Sequence, residues 1–397
     1  MKKALIPVGI VLLIMFLVLL FRKNDFKVSW NQIEYQDTTQ KPVLKIYIES
    51  SGSMDGYLCS GSELKDAVYS YVSTLDSYSD TLELNYINSQ IIPYDGSLQT
   101  FVRELNVAAF KRIGGNKANS DLGNMFEQIL KAHNPLDVSI FVSDCILDVP
   151  QGDAKDYLVN RQIDIHKAFV KKLDALPNLG VEIFRLESAF DGYYYSFKGS
   201  KRLSGVKRPY YMWVIGDKHL LAYLNTRVPF TEIKHGYKDY FAYSTYEEVP
   251  FSVTNQFGVS QNPLVLKTSI NNHYVVKIQA NLSTMLQNEA MACNADCYHT
   301  QSPKINIVKV ERNQNLKDHN THVLTLSIDG NIASCSESIR FVLPAIPRWL
   351  DSANDESGDY IDKNLDKTTG IKNIISGVSD AYRDHLELAG MRFVINN

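Results

Sequence analysis

Residues 43–54 read VLKIYIESSGSM. The first seven, Val43 to Glu49, are rich in β-branched and aromatic side chains, which predicts a short buried strand. The strand ends on the carboxylate of Glu49, and Ser51 and Ser53 follow around Gly52, which allows a tight turn. Carboxylate and hydroxyl oxygens that converge above the end of a strand suit a hard divalent cation such as Mg²⁺.

Two later segments supply further oxygen ligands. Asn119-Ser120-Asp121 directly precedes a helical pattern, and Ser143-Asp144 follows the apolar run VSIFV, residues 138–142. That run is typical of a strand buried on both faces of a parallel sheet. Open α/β sheets bind ligands at the carboxyl ends of their strands. The residues expected to meet there are Glu49, Ser51, Ser53, Ser120 and Asp144, with Asp121 as an additional candidate.

Strands and helices alternate across residues 41–227, which predicts a doubly wound α/β domain. Within it, residues 187–209 form an insertion rich in tyrosine, lysine and arginine. We interpret the insertion as a β-hairpin whose basic face contacts a protein partner through Tyr193, Tyr194, Lys201 and Arg202. Simple structural packing and a nucleic-acid surface are the alternatives. The predicted strands are Val43–Glu49, Leu82–Asn88, Val138–Val142, Val181–Leu186 and Tyr210–Ile215, and the predicted helices are Glu63–Tyr78, Leu98–Phe110, Leu122–Ala132, Asp156–Leu176 and Lys218–Asn225.

Together these segments resemble the von Willebrand factor type A (vWA, Rossmann-like) domain and its metal-ion-dependent adhesion site. The family pattern is Asp-x-Ser-x-Ser after the first strand, a Thr in a helix-entry loop and an Asp after a central strand. Here Glu49 replaces the leading Asp and Ser120 the Thr. The resemblance implies that Ser51, Ser53 and Ser120 bind Mg²⁺ or Mn²⁺ directly, while Glu49 and Asp144 supply charge directly or through water. It also implies one open coordination position, which an acidic group of a protein partner fills.

The chain changes character after residue 250. Residues 228–250 are interpreted as a linker, and residues 251–347 contain short strands separated by polar turns, which predicts a β-sandwich-like domain. Residues 348–397 begin with an acidic loop and end with a predicted helix, Ile371–Leu386, and a strand, Arg392–Asn396.

The amino terminus carries an apolar segment. Residues 4–21 are uncharged over 18 positions, long enough to cross a bilayer as a helix. We therefore expect a single-pass transmembrane anchor at residues 1–23, followed by a stalk at 24–40, with a cleaved signal peptide as the alternative. Basic residues flank both ends of the segment, so they fix the orientation poorly. The body is expected on the extracytoplasmic side of the cell membrane.

The net charge and the absence of common enzyme motifs in the sequence argue against several classes of function. With 41 basic and 44 acidic side chains the net charge is −3, which argues against nucleic acid as the main partner. There is no nucleophile elbow, phosphate-binding loop or dinucleotide fingerprint, so we expect no enzyme. The prediction is a membrane-anchored, metal-dependent protein-binding scaffold. The alternatives are a metal-free scaffold and a metal-dependent hydrolase that uses the same cluster.

Two other clusters contain side chains that can bind metals. Cys293, Cys297 and His299 have nearly zinc-like spacing, but a polar loop or a local disulfide is the preferred interpretation. The acidic stretch from Asp351 to Asp362 lacks the spacing of a calcium-binding loop and is interpreted as a solvated turn.

Overall fold

The computed structural model of this 397-residue chain describes residues 25–35, 40–117, 121–147, 154–196, 199–230, 233, 235–267, 269–286, 289–315, 319–355 and 364–397. Its strands are β1 (Phe26–Trp30), β2 (Val43–Glu49), β3 (Thr81–Ile87), β4 (Ile91–Tyr94), β5 (Asp137–Ser143), β6 (Leu179–Ser196), β7 (Gly199–Asp217), β8 (Tyr237–Tyr243), β9 (Glu247–Glu248), β10 (Phe251–Asn255), β11 (Leu264–Leu266), β12 (His273–Ala280), β13 (Tyr298–Thr300), β14 (Ile305–Arg312), β15 (His322–Asp329), β16 (Cys335–Val342), β17 (Asn354–Asp355), β18 (Thr368–Thr369) and β19 (Glu387–Asn396). Its helices are α1 (Glu63–Asp76), α2 (Leu98–Arg103), α3 (Val107–Phe110), α4 (Leu122–Ala132), α5 (Ala154–Ala175), α6 (Lys218–Arg227), α7 (Glu289–Ala292), α8 (Leu350–Ala353) and α9 (Ile371–Ala381).

A seven-stranded sheet in the order β4-β3-β2-β5-β7-β6-β8 organises the first part of the chain. Its centre is parallel, since β2 pairs in parallel with both β3 and β5. Alternate side chains of these strands enter two different cores. Ile46 and Ile48 pack with α1 on one face, whereas Tyr47 and Phe141 pack with α4 and α5 on the other. Helices therefore cover both faces of the parallel centre, as the strand–helix alternation predicted.

The second half of the sheet differs from the prediction. The predicted strands Val181–Leu186 and Tyr210–Ile215 are the inner parts of one long hairpin, β6 and β7, which pair antiparallel. No helix connects them, and strands joined by a hairpin must run in opposite directions. β7 also pairs antiparallel with β5, so the sheet is mixed instead of doubly wound throughout. The hairpin predicted for residues 187–209 is present as the outer part of this long ribbon.

Two further sheets, of six and four strands, are built mainly from the second part of the chain. The six-stranded sheet joins β11, β1, β19, β16 and β13 in that order, with β9 paired to β19, and the four-stranded sheet has the order β10-β12-β15-β14. Buried side chains of both sheets belong to one hydrophobic core. For example, the rings of Phe26 on β1 and Tyr274 on β12 stack with their centroids 4.1 Å apart. Strands β10 to β16 of these sheets lie within residues 251–347, the region predicted to be sandwich-like.

Several predicted boundaries change because strands from distant segments complete these sheets. Residues 26–30, placed in the predicted stalk, form β1, which pairs with β11 and β19. Residues 237–243, placed in the predicted linker, form β8 at the edge of the seven-stranded sheet. The carboxyl-terminal strand is longer than predicted and lies inside the six-stranded sheet between β1 and β16.

The predicted membrane anchor, residues 4–21, lies outside the described residues. Among the helices that the structure describes, none is both long enough and apolar enough to span a membrane.

Candidate functional site

Two carboxylates lie at the carboxyl ends of adjacent parallel strands. Glu49 is the last residue of β2, and Asp144 directly follows β5, with which β2 is paired. Both side chains are fully buried. Ser143 donates a hydrogen bond of 2.5 Å to Glu49 Oε2, and the backbone N–H of Ile146 donates to Asp144 Oδ1 at 3.1 Å. The predicted convergence of Glu49 and Asp144 is thus present in the fold.

The loop after β2, residues 50–58, is called the serine loop here. Its Ser51 and Ser53 hydroxyl oxygens are 3.0 Å apart and are 4% and 8% exposed by residue. Two hydrogen bonds fix the start of the loop to the end of β3. The backbone N–H of Ser50 donates to Ile87 O at 2.8 Å, and Asn88 Nδ2 donates to Ser50 Oγ at 3.0 Å. The two hydroxyls that were predicted as ligands therefore face each other in a buried turn.

The charged form of Asp144 is disfavoured by its surroundings. Burial, followed by the negative charge of Glu49, raises the pKa of Asp144 to about 7. The Ile146 N–H, the Ser53 hydroxyl and the positive charge of Arg208 lower that pKa but do not offset the burial. Its Oδ2 atom is buried and has no hydrogen-bond partner among the described residues. At a pKa of about 7, this carboxyl group is partly protonated near neutral pH.

The outer part of the β6–β7 hairpin, residues 187–196 and 199–209, covers the serine loop and is called the outer hairpin. The Tyr57 hydroxyl donates to Pro209 O at 2.5 Å, and the Tyr57 ring meets Phe190 edge to face at 4.9 Å. Gly56 and Gly192 touch through their backbones, and a Cβ added to Gly192 would lie 2.5 Å from Gly56 Cα. Glycine is required at this contact because no side chain fits between the two segments.

The variant Gly192→Ala is expected to loosen this cover. Its methyl group would meet backbone atoms of Gly56, which cannot rotate away, so we expect a loss of about 1–3 kcal/mol of stability. Thermal unfolding measures the effect, and Gly114→Ala is the matched control, because its added methyl group has only Gln90 at 4.0 Å. Equal midpoints for the two variants would show that the glycine contact does not hold the outer hairpin in place.

A second cover comes from the far end of the chain. Residues 364–370, called the C-terminal strap, lie against the segment that follows Asp144, where the Leu147 N–H donates to Thr369 O at 3.3 Å. The strap also meets the hairpin, since the Tyr194 and Thr369 hydroxyls are 3.2 Å apart and the Tyr211 hydroxyl donates to Thr368 Oγ1 at 3.2 Å. The site is thus enclosed by two segments that are distant in sequence.

The helix-entry loop is only partly described. Ser120 lies outside the described residues, so its predicted role as a ligand stays a prediction. Asp121 is the N-cap of α4 and accepts a hydrogen bond from the Asn124 N–H at 3.1 Å. Its carboxylate also pairs with Arg161 on α5 at 3.0 Å. These contacts give Asp121 a structural role at the start of α4.

The predicted partner-binding residues divide between the two faces of the outer hairpin. Tyr193 is 50% exposed and lies beside the guanidinium of Arg202, which also pairs with Asp191. Lys201 is exposed as well. Tyr194, by contrast, is 3% exposed and packs inward. Successive residues of a strand point to opposite faces, so the prediction that included both tyrosines in one surface was wrong for Tyr194.

The sequence interpretation missed Arg208 as a site residue. This side chain is fully buried, and its Nη1 donates to the carbonyl oxygens of Asn364 at 3.1 Å and Leu365 at 2.8 Å. Its guanidinium also lies 4.5 Å from the centre of the Tyr194 ring. The run KRPYY, residues 207–211, carried only a weak signal, namely that Arg208 directly precedes residues predicted to form a buried strand.

Among the described residues, no group of three or more His, Cys, Asp or Glu side chains is arranged to hold a metal ion. The zinc-like cluster around Cys293 is not brought together as such a group among the described residues. A site built from two carboxylates and several hydroxyls falls outside that kind of cluster. In comparisons with known proteins, no family model matches the chain and no curated protein matches it.

Proposed function

We propose that this chain is a protein-binding module of the von Willebrand type A kind that works through a divalent cation, Mg²⁺ or Mn²⁺. One observation carries the proposal: Glu49 and Asp144 are both fully buried at the ends of adjacent parallel strands, and Asp144 Oδ2 lacks a partner among the described residues. Buried charges in proteins are normally paired or coordinate a metal. A cation between these carboxylates would supply the missing partner.

The chemistry of the donors supports this choice of metal. Glu49, Asp144, Ser51 and Ser53 offer only oxygen atoms, which Mg²⁺ and Mn²⁺ prefer over nitrogen or sulfur ligands. Ser120 would complete the set, directly or through water. The helix-covered parallel centre of the sheet also agrees with the alternation on which the family resemblance rests. The antiparallel hairpin beside β5 is where this chain departs from a doubly wound domain.

The partner in this proposal is a protein that contributes an acidic group to the open coordination position. Because the outer hairpin and the C-terminal strap enclose the site, the acidic group reaches the metal only after this cover shifts. Exposed side chains of the outer hairpin, including Tyr193, Lys201 and Arg202, would then contact the same partner. Residues 4–21 would anchor the module in the cell membrane, with its body on the extracytoplasmic side.

Thermal unfolding of the full chain with Mg²⁺, Mn²⁺ or chelator tests the proposal. Ligand binding to the native state raises the free energy of unfolding by roughly 2.7 kcal/mol at a hundredfold excess over the dissociation constant. We expect this rise in the wild type and its loss in Ser53→Ala. Ser73→Ala is the matched control, because it also removes a hydroxyl that is hydrogen-bonded, here to Ser70 O in α1, away from the site.

A wild-type midpoint that does not respond to millimolar metal, either in chloride or in acetate, would exclude the metal-dependent function. The chain would then be a metal-free scaffold, in which the serine loop is only a buried turn. A metal response that survives in Ser53→Ala would place the cation elsewhere in the molecule.

A further inference from the structure

Arg208 is a fully buried cation whose charge acts on Asp144, one of the two carboxylates. Ser143, the last residue of β5, pairs with Tyr211 on β7, so the antiparallel β7 carries Arg208 past the point where Asp144 leaves the sheet. Tyr57 of the serine loop contacts the neighbouring Pro209. The charge of Arg208 acts on Asp144 with a sign opposite to that of Glu49. Arg208 is therefore close enough to the proposed metal ligand Asp144 for its charge to influence that carboxylate.

Within the described part of the chain, hydrogen-bond partners are found for one end of the guanidinium. Nη1 binds the carbonyl oxygens of the C-terminal strap, whereas Nε and Nη2 are buried without a hydrogen-bond partner among the described residues. These two nitrogens form the edge with which arginine binds a carboxylate through two parallel hydrogen bonds. A buried donor without a partner costs free energy, so an acceptor that enters here is favoured.

The charges can be counted for each state of the site. With both carboxylates ionised and Arg208 charged, the three side chains sum to −1, and a bound Mg²⁺ brings the sum to +1. One additional carboxylate returns it to zero. Since uncompensated charge is costly in a buried site, the cation and an acidic ligand should stabilise each other there.

We propose that Arg208 is a built-in counter-cation that keeps the divalent-metal affinity low until a carboxylate ligand enters with the metal. Its Nε–Nη2 edge would donate to both oxygens of that carboxylate, and the metal would bind one of the same two oxygens. This inference rests on the proposed function. It assigns Arg208 as the residue that binds the partner's carboxylate, and it explains why metal and partner bind together. The outer hairpin and the C-terminal strap cover Arg208 as they cover the metal site. A ligand therefore reaches Arg208 only when these segments shift.

The test measures Mn²⁺ affinity of the full chain by calorimetry, in acetate and in chloride of equal ionic strength, for wild type, Arg208→Met and Arg208→Lys. In wild type, acetate should tighten Mn²⁺ binding about tenfold or more, which is a typical coupling between two sites. Arg208→Met removes the repelling charge and should bind Mn²⁺ in chloride at least about tenfold more tightly than wild type. Arg208→Lys keeps the charge but loses the two-nitrogen edge, so its affinity in chloride should stay near that of wild type while the acetate effect falls.

Wild type and Arg208→Met with equal Mn²⁺ affinity in chloride, or no effect of acetate on wild type, would overturn the role of Arg208 and leave the metal-dependent function standing. Absence of Mn²⁺ binding in all three proteins would overturn the proposed function itself, and the inference with it. If Arg208→Met does not fold, the acetate effect in wild type and in Arg208→Lys still tests the role of Arg208. An acetate effect that is present in wild type and lost in Arg208→Lys supports the inference.

Discussion

Without metal and at about pH 8, the variant Asp144→Asn is expected to unfold at a higher temperature than the wild type. In the wild-type fold the pKa of Asp144 is about 7, so the buried carboxylate is charged at this pH beside Glu49. Asparagine has nearly the same shape and carries no charge. We expect a gain on the order of 2–4 kcal/mol from the relieved burial cost and repulsion. The same variant should lose the response to Mg²⁺, because half of the ligand charge is gone.

The pH dependence of this difference gives a sharper readout. The pKa of Asp144 is raised in the folded state above its ordinary value of 3.8, so folding takes up a proton between these two values. The contribution of Asp144 to the free energy of unfolding of the metal-free wild type should therefore fall as pH rises from about 4 to about 7 and level off above that range. Asp144→Asn lacks this contribution, so the advantage of the variant should be small at about pH 5 and full at about pH 8.

Urea unfolding in chelator at these two pH values measures the difference. Asp121→Asn is the matched control, since Asp121 undergoes the same chemical change at a half-exposed position and asparagine also caps helices well. A destabilised Asp144→Asn at about pH 8 would contradict the interpretation, because it would mean that the charged carboxylate already has a favourable partner in the metal-free fold.

The sequence predicts the parallel centre of the first sheet well because the signals there are local. β2 is found at Val43–Glu49, as predicted, and α4 at Leu122–Ala132. The meeting of Glu49 and Asp144 also follows from sequence, since two polar residues after neighbouring parallel strands must share one edge of the sheet. Ser51 and Ser53 come with the loop that Glu49 begins.

What sequence reasoning missed depends on contacts between distant segments. β1 is only five residues long, and its partner β19 lies at the other end of the chain. The strap reaches Arg208 across about 156 positions, so no local pattern indicates that this arginine is buried. The direction of β7 is a different case, because the hairpin predicted for residues 187–209 already implies an antiparallel pair, which the doubly wound prediction did not take into account.

The inward position of Tyr194 was predictable in principle. Once residues 187–209 are taken as a hairpin, the side chains of Tyr193, Tyr194 and Tyr195 must alternate between its faces. Tyr193 and Tyr195 are about half exposed, and Tyr194 is buried against the strap. The partner-binding prediction was based on the basic and aromatic composition of the whole run. It did not take into account that side chains of a strand alternate between two faces.

The variant Phe393→Ala is expected to destabilise the chain severely. Phe393 lies on β19, is 2% exposed and pairs across the sheet with both Trp30 of β1 and Glu337 of β16. Truncating a buried phenylalanine typically costs about 3–5 kcal/mol, which is a large part of the stability of an ordinary domain. β19 is also the strand at the carboxyl terminus that pairs with β1 at the amino-terminal end of the described fold. Weaker packing of β19 therefore affects the strands on both of its sides.

Arg392→Ala is the control on the same strand. Arg392 is exposed and pairs with Glu248 at 2.8 Å on the surface, so its removal should cost less than about 1 kcal/mol. The Tyr382 hydroxyl at the end of α9 donates to Leu179 O at the start of β6, which links the carboxyl-terminal segment to the sheet that holds the site. We therefore expect Phe393→Ala to lower the metal-sensitive unfolding midpoint as well. A midpoint unchanged in Phe393→Ala while the β-rich part melts early would show that the two parts unfold separately, and that β19 does not support the site.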